Sequence, residues 1–258
     1  MSYLRLEGQN AIVSGGAAGA GGAASALFAK EGAHVAIVDI QDEAGEALAR
    51  QIEAEGGKAF FVHADVSKAA EVQAAVAVIL ERFGGRIDVL YNHAGTVLVK
   101  PFLDTTEQEW DWMMNINVKS MFLMTKAVLP AMLARGKGSI VNTSSISAVA
   151  GTPMEVLYCT SKGACHMFTR AIATEYRDQG IRCNAVCPGF IRTAHGLREL
   201  DHLRKYKVNV TEEDIARLQG RICEPEEVAS AALFLAGPDS SFVNGETLFV
   251  DNGMLVQT

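Results

Sequence analysis

Near its amino terminus the chain reads Ala11-Ile12-Val13-Ser14-Gly15-Gly16-Ala17-Ala18-Gly19-Ala20-Gly21-Gly22. The apolar run predicts a buried strand, and the small residues after it let the backbone turn tightly into a helix. Such a turn presents free backbone N–H groups and the positive end of a helix dipole to an anion such as a pyrophosphate. The glycines at 15, 19 and 21 follow GxxxGxG and not GxGxxG. Because tight turns also need glycine for packing alone, this loop indicates a dinucleotide site only together with other residues.

The second apolar run, residues 35–38, is followed by Asp39, which lies 20 residues after Gly19. A carboxylate at this position accepts hydrogen bonds from the adenosine ribose and repels a 2′-phosphate. No Arg or Lys interrupts the glycine loop or follows Asp39 directly, so NAD is predicted and not NADP. Asp65 follows the third apolar run, where it either contacts the adenine amine or caps the next helix.

Short apolar runs alternate with longer amphipathic stretches over almost the whole chain. The runs are 11–13, 35–38, 59–62, 87–90, 139–142, 182–186 and 247–250, with helical patterns at 42–56, 67–83, 105–133, 156–179 and 225–236. The predicted helix caps are Asp42, Ser67 with Glu71, and Thr105 or Thr106 with Glu107 and Glu109. This rhythm predicts an α/β fold, a Rossmann-type doubly wound parallel sheet with helices on both faces. No linker interrupts it, so residues 1–258 are expected to form a single domain.

Composition excludes several classes of protein. The chain has 258 residues, 49% hydrophobic and 21% charged, so it can bury a core and is not expected to be disordered. Its net charge of −7 disfavours nucleic acid as a partner. The five cysteines lack the spacing of a disulfide framework or a zinc site, so they are expected to be small buried residues, and no metal is predicted. Neither a leader segment nor a run of about 18 apolar residues is present, which predicts a cytoplasmic protein that does not enter a membrane.

A tyrosine and a lysine stand four residues apart in the sequence Tyr158-Cys159-Thr160-Ser161-Lys162. On a helix they project from the same face, and a nearby cation favours the phenolate that a general base requires. Alone, this spacing also fits an ordinary solvated helix face. Polar residues follow two predicted strands at the same edge of the sheet: Asn92-His93-Ala94-Gly95 after the fourth and Asn142-Thr143-Ser144-Ser145 at the end of the fifth.

Together these residues resemble the ordered motifs of the short-chain dehydrogenase/reductase family. The resemblance covers essentially residues 6–253, and the 13 residues from Ser145 to Tyr158 and 28 from Asn117 to Ser145 match the family's spacing. It implies about seven parallel strands, hydride transfer between a nicotinamide and an alcohol or carbonyl, and frequently a homotetramer. Two residues depart from the usual pattern. Ser14 replaces Thr but keeps the hydroxyl, and His93 replaces a second Asn, where it either affects the strands or lines the pocket.

The resemblance also implies a role for each motif residue. Tyr158 is the general base in oxidation, Ser145 donates a hydrogen bond to the substrate oxygen, and Lys162 binds the nicotinamide ribose and keeps the pKa of Tyr158 low. Asn117 anchors a water that passes the proton onward. The implied cofactor-binding residues are Ser14, Gly15, Ala18, Gly19, Ala20, Asp39, Ile40, Asp65, Val66, Asn92, Ala94, Gly95, Tyr158, Lys162, Pro188, Gly189, Ile191 and Thr193. The implied substrate contacts are Ser145, Ser147, Met154 and Tyr158, in a mostly apolar pocket.

Periodicity weakens over residues 190–222, between the sixth strand and the last helix. Ligands of an open parallel sheet bind beyond the carboxyl ends of its strands, so this segment is predicted to be a substrate lid; an ordinary surface excursion is the alternative. Its basic residues either attract an anionic substrate or form a solvated face: Arg192, Arg198, Arg204, Lys205 and Lys207. Apolar residues along 105–133, including Trp110, Trp112 and Phe122, predict either a subunit interface or a helix packed inside one chain.

The leading hypothesis is therefore an NAD-dependent dehydrogenase of secondary alcohols, which forms ketones because cellular NAD is largely oxidised. A 3-oxoacyl thioester reductase is the second enzyme hypothesis, although it usually requires NADPH, which Asp39 opposes. A non-catalytic dinucleotide sensor on the same fold is the third, and the joint presence of Asn117, Ser145, Tyr158 and Lys162 argues against it. The sequence does not distinguish among sugars, steroids, cyclic alcohols and hydroxy acids as substrates.

Overall fold

The computed structural model describes residues 4–256 and contains one sheet of seven parallel strands. The strands are β1 (Asn10–Ser14), β2 (His34–Asp39), β3 (Lys58–His63), β4 (Val89–Asn92), β5 (Gly138–Thr143), β6 (Ile181–Pro188) and β7 (Thr247–Val250). Their order is β3-β2-β1-β4-β5-β6-β7. Strands β2 and β3 are added on one side of β1 and strands β4 to β7 on the other, so the strand order reverses between the neighbouring strands β1 and β4. The predicted doubly wound Rossmann-type sheet is confirmed. Residues 1–3 and 257–258 of the predicted domain lie outside the described residues.

Helices cover both faces of the sheet. They are α1 (Gly19–Lys30), α2 (Asp42–Ala54), α3 (Ala69–Arg82), α4 (Glu107–Met114), α5 (Ser120–Leu133), α6 (Val156–Tyr176), α7 (Ala194–Lys205), α8 (Glu212–Gln219) and α9 (Pro225–Ala236). Successive residues of one strand enter opposite cores: Ala11 and Val13 pack with α1 and α9, whereas Ile12 packs with α3 and α5. Burial on both faces explains why the strands read as unbroken apolar runs.

Two local expectations were wrong. The fourth strand begins at Val89, because Ile87 is buried below the end of the sheet without belonging to a strand. Ser67 does not cap α3; its backbone N–H and its hydroxyl both donate to Asp65. The strand was misplaced because packing alone buries Ile87, and the cap was misassigned because Ser67 takes part in a turn with Asp65.

The predicted cap at Thr106 is present as a reciprocal pair of hydrogen bonds. The backbone N–H of Glu109 donates to the Thr106 hydroxyl, and the backbone N–H of Thr106 donates to the Glu109 carboxylate. Asp42, by contrast, is the first residue of α2, and Gln41 precedes it as the cap. The acidic side chain of Asp42 therefore lies in the first turn, where the helix dipole favours negative charge.

The long helical region that begins at Glu107 is interrupted by one π-helical turn, Asn115–Lys119, which joins α4 to α5. Such turns arise where one residue too many is accommodated in a helix, and they are frequent at functional sites. The region Glu107–Leu133 is long and apolar enough to cross a membrane by length and composition alone. Here Met124, Val128 and Met132 are fully buried in the core beside α3, which accounts for the apolar character of α5.

Residues 190–222 contain two helices, α7 and α8, although the sequence showed only weak periodicity there. The segment has its own small core of Leu200, Ile215 and Ile222. Its two ends meet at its base, where Ile191 pairs with Cys223 in an isolated β-bridge outside the seven strands. Helix α7 buries only Gly196 and Leu200, and α8 has only eight residues, so few apolar positions repeat and the pattern is difficult to detect in the sequence.

Gly180 makes the tight turn between α6 and β6, and we expect Gly180→Ala to destabilise the fold. Its φ of +77° lies in the left-handed region, and a Cβ there would overlap the carbonyl oxygen of Gly136. The expected loss in the free energy of unfolding is about 1–3 kcal/mol, measured by chemical denaturation. Gly151→Ala is the matched control, because its Cβ meets open space, and a change of under about 0.5 kcal/mol is expected. Equal stability of the two variants would contradict the strain at Gly180.

Candidate active site

The point where the strand order reverses is bridged by the hydroxyl of Ser14. This oxygen accepts hydrogen bonds from the backbone N–H groups of His93 (3.2 Å) and Ala94 (3.4 Å), which follow β4. The contact needs only a hydroxyl, so the replacement of the family's usual Thr by Ser preserves it. The crevice beyond the ends of β1 and β4 is where doubly wound sheets bind their ligands.

The glycine loop is packed too closely to accept larger residues. Gly15 and Gly19 have φ angles of +66° and +55°. A Cβ on Gly15 would lie 2.8 Å from the Cα of Ala94, and a Cβ on Gly21 would overlap the Gly15 carbonyl oxygen. At the loop's outer side α1 begins after Ala18 without any side-chain cap, so its first backbone N–H groups remain available to an anion.

Asp39 is held at the end of β2 by the glycine loop itself. One carboxylate oxygen accepts from the backbone N–H of Ala17 (3.1 Å), and the other accepts from those of Ile40 (2.8 Å) and Gln41 (3.2 Å). These bonds fix a negative charge beside the loop before any ligand arrives. Ile40 next to it is 62% exposed, so an apolar surface flanks the carboxylate.

Of the two interpretations of Asp65, the structure shows the local turn contact. Its carboxylate accepts from the backbone N–H of Ser67 at 3.0 Å and from the Ser67 hydroxyl at 2.6 Å, and it forms an ion pair with Lys68. Val66, which follows it, is buried in the core. These contacts leave the adenine contact of Asp65 a prediction.

The segment after β6 brings the base of the lid to the glycine loop. The backbone N–H of Gly189 donates to the Val250 carbonyl at 3.1 Å, and Pro188 ends the strand. Thr193 caps α7 by accepting from the backbone N–H of Gly196, and its methyl lies 3.4 Å from where a Cβ on Gly19 would be. Ile191 pairs with Cys223 at the base of the segment. The predicted cofactor segment and the glycine loop are thus neighbours.

Ser145, Tyr158 and Lys162 converge at the carboxyl end of β5. Ser145 hydrogen-bonds to Tyr158, and the Ser145 hydroxyl oxygen also accepts from the backbone N–H of Ser147 at 3.1 Å. The ammonium of Lys162 lies 5.6 Å from the centre of the Tyr158 ring and donates to the backbone carbonyl of Thr143 at 2.8 Å. Helix α6 therefore presents both residues to one place, as their spacing predicted.

Asn117 occupies the π-helical turn and is buried against the same site. Its side-chain oxygen accepts from the backbone N–H of Thr96 (2.7 Å), and its amide nitrogen donates to the Thr96 carbonyl (2.9 Å) and to the Ser161 hydroxyl (2.9 Å). A Cβ on Gly95 would lie 3.4 Å from the Asn117 side-chain oxygen and 3.6 Å from the Lys162 nitrogen. The fourth predicted catalytic residue is therefore close to Lys162.

The expected direction of the Tyr158 pKa was wrong for the free protein. Burial raises the pKa of Tyr158 above its ordinary value, the charge of Glu199 adds to this, and the hydrogen bond from Ser145 opposes it. Burial also lowers the pKa of Lys162. Each shift follows because removal from water disfavours the charged form of the group. The spacing argument considered the attraction between the two residues but not their common loss of solvent.

His93 bridges the ends of β4 and β5 beneath the glycine loop. Its Nδ1 atom lies 3.2 Å from the Tyr91 hydroxyl and 3.0 Å from the Thr143 hydroxyl, and the Thr143 hydroxyl donates to Tyr91 at 3.0 Å. Burial lowers the pKa of His93 to about 3, so the ring is neutral at working pH. Of the two interpretations of His93, these contacts favour an effect on the strands over pocket lining.

The substrate side of the site is more polar than the sequence predicted. Ser147 is buried, with its hydroxyl 3.5 Å from a carboxylate oxygen of Glu155. Met154 adopts a φ of +67°, rare for a residue with a side chain, while its carbonyl accepts from the backbone N–H of Lys100. Glu199 of α7 contacts Glu155. The sequence indicated residues 195–203 as a segment that lines the substrate pocket, but it did not single out Glu199 because the helix there was not recognised.

Known proteins are similar in sequence to this chain over nearly its whole length. A family model described as "Enoyl-(Acyl carrier protein) reductase" matches residues 15–255. A cyclopentanol dehydrogenase of Comamonas testosteroni is 40% identical over 249 residues, which are 96% of this chain and 98% of that protein. The chain belongs to the short-chain dehydrogenase/reductase family. It is therefore an oxidoreductase of that family.

Two further members of the family differ in the reactions that their names describe. The 3-oxoacyl-(acyl-carrier-protein) reductase FabG of Thermotoga maritima is 35% identical over 98% of this chain and 100% of that protein. The solved gluconate 5-dehydrogenase of Burkholderia cenocepacia, in complex with NADP and tartrate, superposes with a TM-score of 0.88 at 31% identity, covering 99% of this chain and 98% of that one. Similarity alone thus leaves both coenzyme and substrate open.

The residues present fit a nicotinamide dinucleotide. The glycine loop leaves a space that a Cβ would fill, and α1 begins beside it without a side-chain cap. The fixed carboxylate of Asp39 at the end of β2 borders the same crevice. Within residues 4–256 no group of three or more His, Cys, Asp or Glu side chains is arranged to hold a metal ion.

We expect Gly21→Ala to weaken dinucleotide binding at least tenfold, because the added methyl overlaps the Gly15 carbonyl oxygen and deforms the loop. Calorimetric titration with NADH measures the dissociation constant. Gly163→Ala in α6 is the control, since its Cβ would meet only the Ala148 carbonyl oxygen at 3.9 Å, and unchanged binding is expected. Unchanged binding by Gly21→Ala would rule out the loop as the phosphate cradle.

Proposed function

We propose that this enzyme is an NAD-dependent dehydrogenase that oxidises a secondary alcohol to a ketone, with Tyr158 as general base. The observation that carries the proposal is the convergence of Ser145, Tyr158 and Lys162 at one strand end, below a crevice whose far side holds Asp39. The similarity to a cyclopentanol dehydrogenase supports the alcohol as substrate. The choice of NAD rests on Asp39.

Each side chain has a group suited to its proposed task. The Ser145 oxygen accepts from the Ser147 backbone N–H, and its own hydrogen, which Tyr158 accepts in the free protein, would be donated to the substrate oxygen instead. Tyr158, beside it, removes the hydroxyl proton of the alcohol. A bound nicotinamide would supply the acceptor for the hydride that leaves the carbinol carbon. In the reverse direction Tyr158 returns the proton to the ketone oxygen.

Lys162 and Asn117 complete the proton path. One N–H of the Lys162 ammonium is held by the Thr143 carbonyl, which leaves two for the hydroxyls of the nicotinamide ribose. Held beside Tyr158 by these contacts, the Lys162 ammonium would favour the phenolate and oppose the effect of burial. Asn117, in contact with Ser161 of α6, anchors the water that carries the proton away.

A 3-oxoacyl thioester reductase is the second candidate. The description of the matching family model and the similarity to FabG of Thermotoga maritima favour it. Such an enzyme runs toward the alcohol and requires a long acyl thioester to enter the crevice. Coenzyme preference and acceptance of a 3-oxoacyl thioester distinguish the two candidates.

We further propose that the enzyme is cytoplasmic and forms a homotetramer. All five cysteines are free thiols, as expected in a reducing compartment. Trp110, Trp112 and Phe122 are each at least 40% exposed on α4 and α5. A second copy that covers these rings would remove a large apolar surface from water.

Tyr158→Phe is expected to lower kcat for oxidation of a secondary alcohol by about 10²–10⁴-fold, because it removes the group that takes the proton. The affinity for NAD should change less than about threefold, since the ring remains and the ribose contacts belong to Lys162. NADH absorbance over a panel of cyclic and linear alcohols measures turnover, and titration measures affinity. A variant that retains turnover would remove Tyr158 from its assigned role.

The ratio of kcat/KM for NAD to that for NADP is expected to exceed about 10², because the fixed carboxylate of Asp39 repels a 2′-phosphate. Asp39→Asn keeps the shape but removes the charge, and should lower the ratio at least tenfold. Asp42→Asn, an exposed carboxylate in the first turn of α2, is the control and should leave the ratio unchanged. A wild-type preference for NADP would refute the proposed coenzyme and favour the reductase.

A further inference from the structure

Two carboxylic acids join the lid to the catalytic helix. Glu155 precedes α6 directly, three residues before Tyr158, and is 3% exposed. Glu199 lies in the middle of α7, and the two carboxyl groups are within hydrogen-bond contact. No motif of the family resemblance includes either residue.

This contact requires a proton. Two ionised carboxylates have only acceptor atoms, so a hydrogen bond between them needs one to be protonated. The other polar contact of Glu155 is with the Ser147 hydroxyl at 3.5 Å, which is neutral. Among the described residues neither Glu155 nor Glu199 forms an ion pair with a lysine or an arginine; Arg192 of the lid pairs with Glu212 and Glu224, and Arg204 pairs with Asp201. A proton, and not an ion pair, therefore compensates the charge of the two acids.

We propose that Glu155 and Glu199 are positioning residues that hold the lid helix α7 against the catalytic helix α6 through one shared proton. The inference rests on the proposed function in one respect, because it takes α7 as the substrate lid over Tyr158. Loss of the proton leaves two negative charges in contact and opens the lid.

The acid–base properties of the pair support this proposal. Burial raises the pKa of Glu155, and the charge of Glu199 raises it further. Burial likewise raises the pKa of Glu199. Buried acids that share a site retain a proton well above the ordinary carboxyl range. The contact is thus maintained near neutral pH.

The other titratable and charged groups of the active site come from four elements. Burial lowers the pKa of His93 beyond β4 to about 3 and that of His195 on α7 to about 4, and it raises that of Cys187 on β6 to about 12. These three groups therefore keep one charge state between about pH 6 and about pH 9.

Three more groups belong to the same part of the molecule. Arg198 on α7 is a cation that interacts with His195 and His202. On α6, burial raises the pKa of Tyr158 and lowers that of Lys162. Comparison of the Glu199 variants with wild type distinguishes the effect of titrating these two residues from that of titrating the pair.

The sign of the pH dependence follows from the difference between the closed and open lid. In the open lid both carboxyls meet water and have ordinary pKa values, whereas in the closed lid both values are raised. The closed form binds the proton more tightly, so closure is strongest at low pH. It weakens as pH rises from the ordinary carboxyl range to the raised values, and is constant beyond them.

Amide hydrogen exchange of residues 194–205 in the NAD-bound enzyme tests the contact directly. Measured by mass spectrometry from about pH 5.5 to about pH 9 and corrected for intrinsic exchange, protection should fall with pH by at most about tenfold per unit, the limit for one proton. Glu199→Gln supplies an amide that donates to Glu155 without a titratable proton, so protection should stay nearly constant. An equal fall in Glu199→Gln and wild type would overturn the proposal.

The contact between Glu155 and Glu199 that holds α7 against α6 is called the latch. Two further variants distinguish loss of the latch from a general loosening of α7. Asp201→Asn removes an exposed carboxylate on the same helix, where it pairs with Arg204, and should keep the wild-type pH dependence. Glu199→Leu cannot form the hydrogen bond and should show at low pH the weak protection that wild type shows at high pH. High protection in Glu199→Leu at low pH would also contradict the latch.

Kinetics supply an independent readout. For an alcohol that is oxidised, KM should rise several-fold with pH in wild type and less in Glu199→Gln. Because the charge of Glu199 raises the pKa of Tyr158, Glu199→Gln should also move the rise of kcat/KM to lower pH. Hydrogen exchange needs no turnover. If no alcohol is oxidised, the proposed function is wrong, but hydrogen exchange still tests the contact between Glu155 and Glu199. If the enzyme is active and the exchange of α7 does not change with pH, only the proposal about that contact is refuted.

Discussion

All seven strands run in the same direction, and this constraint gathers the strand ends that support the site at one edge of the sheet. The carboxyl ends of parallel strands lie at one edge of the sheet, so polar residues that end different strands become neighbours. Ser14, Asp39, Asn92 and Thr143 are each the last residue of a strand. They are far apart in the chain, yet each supports part of one crevice. Hydrogen bonds across these ends, such as the one from the backbone N–H of His93 to Ser14, hold the edge together.

The site works with groups that have been withdrawn from water. Burial raises the pKa of Tyr158, lowers that of Lys162, and keeps His93 neutral. A bound dinucleotide brings its own charges and hydroxyls into this environment, where electrostatic interactions are stronger than in water. In the free protein the side chains of Tyr158 and Lys162 are therefore already in position, but their pKa values do not yet favour the charged forms. The Glu155–Glu199 pair extends the same principle to the lid, since it too contains a charge that only a proton can neutralise.

Much of the fold followed from the sequence because its signals are local. The glycine loop requires a turn that glycine alone can make, and Gly15 and Gly19 do have positive φ angles. The Tyr158 to Lys162 spacing depends only on helix geometry. By contrast, the helices of the lid escaped notice because their small core, around Leu200, Ile215 and Ile222, forms between segments that are distant in sequence. The fourth strand was misplaced for a related reason, because the burial of Ile87 comes from packing and not from pairing.

The sequence by itself determined the fold class, the family and the residues that resemble its catalytic set, because periodicity, turn chemistry and motif spacing are properties of the chain. Only the tertiary structure decided how strongly each ionisable group is separated from water, which contacts Asp65 and His93 make, and that Glu199 meets Glu155. Solvent exclusion and carboxyl contacts depend on all the elements around a residue. No window of sequence contains that information, since the neighbours that remove the water come from α6, α7 and β6 together.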